Sequence, residues 1–124
     1  MAAVPKSSIV IGSGTGAAGT TKASPGVTGA WIDVTSVNGG VLGGRIKNNG
    51  AVGVAGTLLW QWSPDPTAGT PKIYDLWQFG GDLASGSDIT VSTRLDKEIK
   101  FVRMLGYGNT TSSVLYESDL AASS

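Results

Sequence analysis

The chain contains no cysteine and no histidine. Without cysteine there is no disulfide, no thiolate nucleophile, no zinc–thiolate centre and no iron–sulfur cluster. Without histidine the commonest general base and the commonest transition-metal ligand are missing. A Ser–His–Asp arrangement is therefore excluded, and nothing in the sequence localises a Ser–Lys pair.

Charge is scarce as well. Charged residues make up 15% of the chain, against roughly 25% in an average soluble domain. Nine basic and nine acidic residues cancel. A neutral balance argues against nucleic acid as a partner, and against a polybasic membrane anchor. No apolar run approaches the roughly 20 residues that cross a bilayer. The run Ile9-Val10-Ile11 is too short for the hydrophobic part of a secretory leader. The expectation is a soluble chain made in the cytoplasm. With so few charges, it is also expected to hide surface against neighbours.

What is abundant is small. Gly, Ser and Thr together supply 45 of 124 residues, a composition that favours turns and strands over helices. No segment sustains a 3.6-residue period over a helix's length. Period-two runs recur instead. Trp31–Val37 places Ile32 and Val34 on one face, with Trp31, Asp33 and Thr35 opposite. Val41–Lys47 sets Leu42 and Ile46 against Arg45 and Lys47. Thr57–Ser63 aligns Leu58, Trp60 and Trp62, and Lys72–Phe79 aligns Ile73, Trp77 and Phe79. Further runs are Ile89–Leu95, Ile99–Tyr107 and Thr110–Tyr116, followed by a small polar tail from Glu117 to Ser124. Turn residues separate them: Asn38-Gly39-Gly40, Asn48-Asn49-Gly50, Pro64-Asp65-Pro66 and Gly80-Gly81. This spacing predicts an all-β fold, an antiparallel β-sandwich or jelly roll of about seven to eight short strands.

Residues 1–26 differ from the rest. They hold no acid and no aromatic, but five glycines and Lys6 and Lys22. Such a segment cannot bury enough apolar area to offset its own ordering entropy. It is expected to be an extended N-terminal arm, with residues 27–124 forming the sandwich. The arm is expected to be gripped by another subunit through Ile9, Val10 and Ile11, its only stretch of high strand propensity, with Lys6 and Lys22 as interface charges.

Several motifs invite chemistry. Gly14, Gly16 and Gly19 spell G-x-G-x-x-G after an apolar triplet, with Asp33 further on. The dinucleotide reading requires a following crossover helix, and Thr20–Gly26 cannot supply one. Lys22 stands too far from Gly19 for a Walker A loop. Asp65, Asp75, Asp82 and Asp88 form the densest acid set, but they lack the spacing of a calcium loop, and Asx turns account for acids next to proline and glycine. Trp60, Trp62, Trp77 and Phe79 read first as core or subunit interface and second as a platform for sugar rings. Trp31, whose face carries Asp33 and Thr35, is the aromatic most exposed on pattern. Asn109-Thr110-Thr111 matches a glycosylation sequon, but without secretion it reads as a turn. No catalytic, cofactor or metal-binding residue is expected.

The order Trp31-Ile-Asp-Val34, Gly44-Arg-Ile-Lys-Asn-Asn-Gly50, Trp62-Ser-Pro-Asp65, Phe101-Val-Arg103 and Gly108-Asn-Thr110 resembles the small β-sandwich cement, or decoration, proteins of tailed bacteriophage capsids. The likeness spans roughly residues 30–118. It implies a non-enzymatic virion protein on the capsid surface that bridges major capsid subunits, often as a symmetric oligomer with other copies of itself. It brings no catalytic residues and does not extend to the glycine-rich start. The alternative is a carbohydrate- or receptor-binding module of a phage tail or fibre.

Overall fold

The computed structural model describes residues 7–16, 20–48, 50, 53–108 and 114–122. Within them the chain forms nine strands: β1 Ser7–Gly16, β2 Val27–Thr28, β3 Ile32–Asp33, β4 Gly40–Asn48, β5 Val54–Ser63, β6 Tyr74–Leu83, β7 Asp88–Leu95, β8 Phe101–Tyr107 and β9 Val114–Ala122. All pairings are antiparallel. Sheet A runs β1-β9-β4-β7, and sheet B runs β2-β8-β5-β6 with β3 also on β8. The two sheets pack face to face, as expected from the alternation.

The core is built from the alternate residues that face inward. Leu42 and Ile46 from β4 and Tyr116 and Leu120 from β9 meet Leu58 and Trp60 from β5 and Val102 and Met104 from β8, and all are buried. Trp60 is the largest of these, and glycine makes its room. A Cβ on Gly44 would stand 2.8 Å from the Trp60 ring and 2.7 Å from that of Phe79. Gly106 does the same for Tyr116, whose ring lies 2.5 Å from where a Cβ would be. Each large ring thus rests on bare backbone of the opposite sheet.

Several strands depart from the sequence reading; β6, for one, runs through Gly80 and Gly81, expected to be a turn, as far as Leu83. The last strand, expected to end at Tyr116, runs on to Ala122 through the start of the expected polar tail, and this β9 is hydrogen-bonded on both sides by β1 and β4. Val114, Tyr116, Ser118, Leu120 and Ala122 alternate into the core. Ser118 disguises that period, since a serine at a core position interrupts the apolar rhythm. Conversely, the expected strand Trp31–Val37 shrinks to Ile32–Asp33. The Asp33 carboxylate accepts bonds from both the amide and the hydroxyl of Thr35, at 2.9 and 2.6 Å, and this Asx turn bends the chain out of the ladder.

The N-terminal region needs a larger correction. Ser7–Gly16 is not an extended arm awaiting a foreign partner. It is a strand paired along its length with β9 of the same chain. A bulge at Ile11 lets that side chain enter the core, where it is 1% exposed. Beyond the bulge, Gly12, Gly14 and Gly16 share the inward face. A Cβ on Gly12 would lie 3.0 Å from Met104, and one on Gly14 would lie 3.1 Å from Val27. The G-x-G pattern is therefore a packing device that lets sheet A close onto β2 and β8. Gly19 lies outside the described residues.

The segment after β1 straps the outer face of sheet B. Thr20 accepts a bond from the Gly108 amide at 3.1 Å, and Gly26 donates to the Gly106 carbonyl at 2.9 Å. Between those anchors, the Lys22 ammonium pairs with Asp75 on β6, the far edge of the sheet. A segment tied to β8 and β6 must cross above β5. Leu59 and Leu105, a cross-strand pair on this face, are 1% and 3% exposed. The described part of residues 1–26 is thus held by its own globule.

Candidate interaction surface

The residues singled out from sequence scatter over the molecule. Ile11 is core, Ile9 packs against the core, and Val10 points outward at 64% exposure. Lys6 lies outside the described residues, as does the Asn109-Thr110-Thr111 turn. Lys22 is exposed and donates to the Asp75 carboxylate. That bond raises Lys22 above the ordinary lysine value and holds Asp75 below the ordinary aspartate value. A bond from Gln61 Nε2 at 2.9 Å lowers Asp75 further. Gln61 also accepts from Arg103 Nε at 3.0 Å. The Arg103 guanidinium in turn sits 4.5 Å over the ring of Trp31. Trp31 is therefore half-buried, one face covered by a cation, rather than a free aromatic.

The acids do not converge. Asp65 caps Thr67 in an Asx turn, as its setting between prolines predicts. Asp88 belongs instead to an ion pair with Arg45, with two bonds of 2.9 and 2.8 Å. Those bonds lower Asp88 and raise Arg45 from their ordinary values. Among the described residues, no group of three or more acids is placed to hold a metal ion.

What the fold does gather is one margin of the sandwich. On the β1/β2 side the sheets close, because glycines bring β1 onto Val27 and Met104. On the opposite side, β6 of sheet B lies over β7 of sheet A. There Phe79, Ile89 and Val91 are partly buried and pack against the core. Trp77 stacks on buried Trp60, with centroids 5.7 Å apart and planes 10° from parallel, and Phe79 continues the row at 6.1 Å from Trp77. Tyr74 stacks on Trp62 at 4.8 Å. Trp77 and Tyr74 nevertheless remain 42% and 43% exposed, with Ile73 beside them at 39%.

The alternation in Lys72–Phe79 predicts Ile73 with Trp77 and Tyr74 opposite. The register differs. Trp60 faces Trp77 but Gln61 faces Asp75, so Leu76 is an extra residue in β6. This bulge reverses the parity before it and turns Tyr74 toward Trp62. A single bulge has no compositional signal, so the exposed pair Tyr74 and Trp77 is not recoverable from period alone.

No protein-family model matches this sequence, and no curated protein matches it.

Proposed function

We propose that this chain is a non-enzymatic structural protein of a virion, a cement or decoration subunit that attaches to major capsid proteins and to other copies of itself at the capsid surface. The observation that carries the reading is the β6/β7 margin: a row of stacked rings, partly exposed, along one edge of the sandwich. Exposed aromatics stacked on a buried tryptophan are held rigidly, so covering them costs little side-chain entropy. The low charge and the resemblance to capsid cement proteins support the same reading. A brace needs stiff walls and surfaces to cover, and both are present without any gathered acid, base or nucleophile among the described residues.

The test is imaging of virus particles assembled with and without this chain. Density on the head lattice in the first, and heads that rupture at lower temperature in the second, are the expected results. Particles alike in composition and heat resistance would overturn the proposal.

One observation favours a second reading, a glycan-binding module. The Tyr74 and Trp77 rings are open to solvent on the same strand as the polar groups of Asp75 and Gln78. Against a platform, each ring already has another ring stacked on it. Titration with oligosaccharides, followed by tryptophan fluorescence, separates the readings. A saturable change abolished by Trp77→Ala supports the glycan module, and no change removes it.

A further inference from the structure

The β6/β7 margin has a second component, the free edge of β7. Natural sheets protect their edges with bulges, glycines, prolines, lysines or short strands, because an unpaired edge is a template for another chain. Three of the edges here are protected. β1 carries a bulge and inward glycines. β2 and β3 are two residues each. β6 carries the Leu76 bulge, and Gly80 and Gly81 have φ of +151° and +140°.

Of these devices β7 has none, and its only charges are Asp88 and Arg94, one of each sign. It is eight residues long, contains no glycine, proline or lysine, and pairs with β4 without a register shift from Gly40–Leu95 to Lys47–Asp88. Its burial alternates without a break. Among the described residues, no strand pairs with its outer edge.

We propose that a second copy of this chain pairs with the first through β7, antiparallel, about a two-fold axis at Val91. The sequence of β7 selects this partner and register. In an antiparallel pair that keeps inward residues inward, the axis falls on a residue of β7. Placed at Val91, it sets Asp88 opposite Arg94 of the other copy, and Arg94 opposite Asp88, on the solvent face. Moving the axis to Thr90 sets Asp88 against Ser92, and moving it to Ser92 sets Asp88 against Asp96. Only the central register pairs opposite charges twice, bringing Arg94 of the other copy to the Asp88 carboxylate that Arg45 already holds. Among the described residues Arg94 has no ion-pair partner within its own chain. On the inner face, Val91 meets its counterpart and Ile89 meets Thr93.

The same axis brings β6 to the seam. β6 lies over β7, so joining the two copies of sheet A edge to edge sets the two β6 strands side by side above the seam. Phe79 then lies level with the axis, because Gly44, the register partner of Val91, stands against its ring, while Trp77 and Tyr74 lie toward the Leu95 end and their counterparts toward the opposite end of the seam. Backbone ladder, paired charges and the apolar contact at Val91 converge on one isologous interface. The inference stands on this edge and margin and not on the virion reading. A monomer would overturn it while leaving capsid attachment to be tested by imaging.

The experiment uses the full chain. Sedimentation equilibrium up to about 1 mM reads the mass directly, and a dimer is expected. Arg94→Glu, an exposed change whose fold is checked by circular dichroism, sets like charges together twice and is expected to weaken the dimer roughly tenfold or more. The natural absence of cysteine permits a clean register test with Thr90→Cys, Val91→Cys and Ser92→Cys under mild oxidation. Val91→Cys is expected to cross-link and its two neighbours are not. A monomer throughout, a dimer indifferent to Arg94→Glu, or cross-linking strongest at position 90 or 92 would each overturn the proposal.

Discussion

The indole Nε1 of Trp60 donates a hydrogen bond of 2.7 Å to the hydroxyl of Ser118, which donates in turn to the Gly43 carbonyl at 2.8 Å. This relay crosses the core from β5 in sheet B to β9 and then β4 in sheet A. Both side chains are essentially inaccessible to water, at 0% and 1% exposure. A buried indole N–H without a partner costs about 1–3 kcal/mol. Ser118→Ala should therefore lower unfolding free energy by about that amount, as read by urea denaturation. Trp60→Phe should make the second substitution nearly harmless. A double-mutant cycle showing no coupling would contradict the relay.

Ring-on-glycine packing predicts a sharper sensitivity. Gly106→Ala drives a methyl group into the Tyr116 ring, and Gly44→Ala drives one between Trp60 and Phe79. Overpacking of this kind costs typically 1–3 kcal/mol or more. Gly69→Ala, where a Cβ meets nothing within 4 Å, is the matched control. Thermal unfolding should rank both core variants well below it.

Removal of residues 1–16 should not leave a stable body. The truncation takes Ile11 from the core and exposes the β9 edge that β1 covers. The loss of a large buried aliphatic alone costs about 2–5 kcal/mol, before any ladder bonds are counted. Poor solubility and loss of a cooperative transition are expected. A well-folded truncate would show that β1 adds little to the sandwich.

The strap should respond to pH at both extremes. Asp75 is held below its ordinary value of 3.8 by its bonds from Lys22 and Gln61. Its contribution is therefore present above about that value and lost as pH falls through the lowered one. Lys22 is raised above 10.5 by the same pair, so its contribution is full below that value and lost as pH rises past it. Both groups are solvent-exposed, and global stability should barely register the change. Amide exchange is the sensitive probe. Exchange of Gly26, Leu59 and Leu105 amides should quicken in Lys22→Ala and in acid, and Asp75→Asn should remove much of the acid dependence.

Tyr116 supplies a distinct alkaline transition. Burial pushes its phenol up to about 12 from an ordinary value of 10.0, and its hydroxyl donates to the Tyr107 carbonyl at 3.1 Å. Because the folded value is the higher one, this stability is complete below pH 10 and lost as pH climbs toward 12. Ultraviolet difference absorbance should show Tyr116 titrating late, coincident with unfolding. Tyr116→Phe should abolish that late titration.

The class of fold was legible because it rests on local alternation. Leu42 with Ile46, Leu58 with Trp60 and Val102 with Met104 announce buried faces by spacing alone. Turn chemistry was equally local, as Asp65 and Thr67 demonstrate. The far half of β9 was hidden because its rhythm is broken by Ser118, whose acceptability depends on an indole 58 positions away. Residues 1–26 were misread for a related reason. Their composition implies that they need a surface to fold upon, but not whose surface. Gly12 and Gly14 gain their meaning only once Met104 and Val27 stand opposite them.

By itself, then, the order of residues determined strands, turns and the exclusion of thiol and imidazole chemistry, since each depends on residue type or on neighbours a few positions apart. The tertiary structure alone decided that the first strand belongs to its own sheet and that glycines close one margin. It also decided that Tyr74 and Trp77 lie exposed together at the other. Those outcomes turn on a bulge and on long-range pairing, where a shift of one residue exchanges the faces of a strand and no local pattern records the choice.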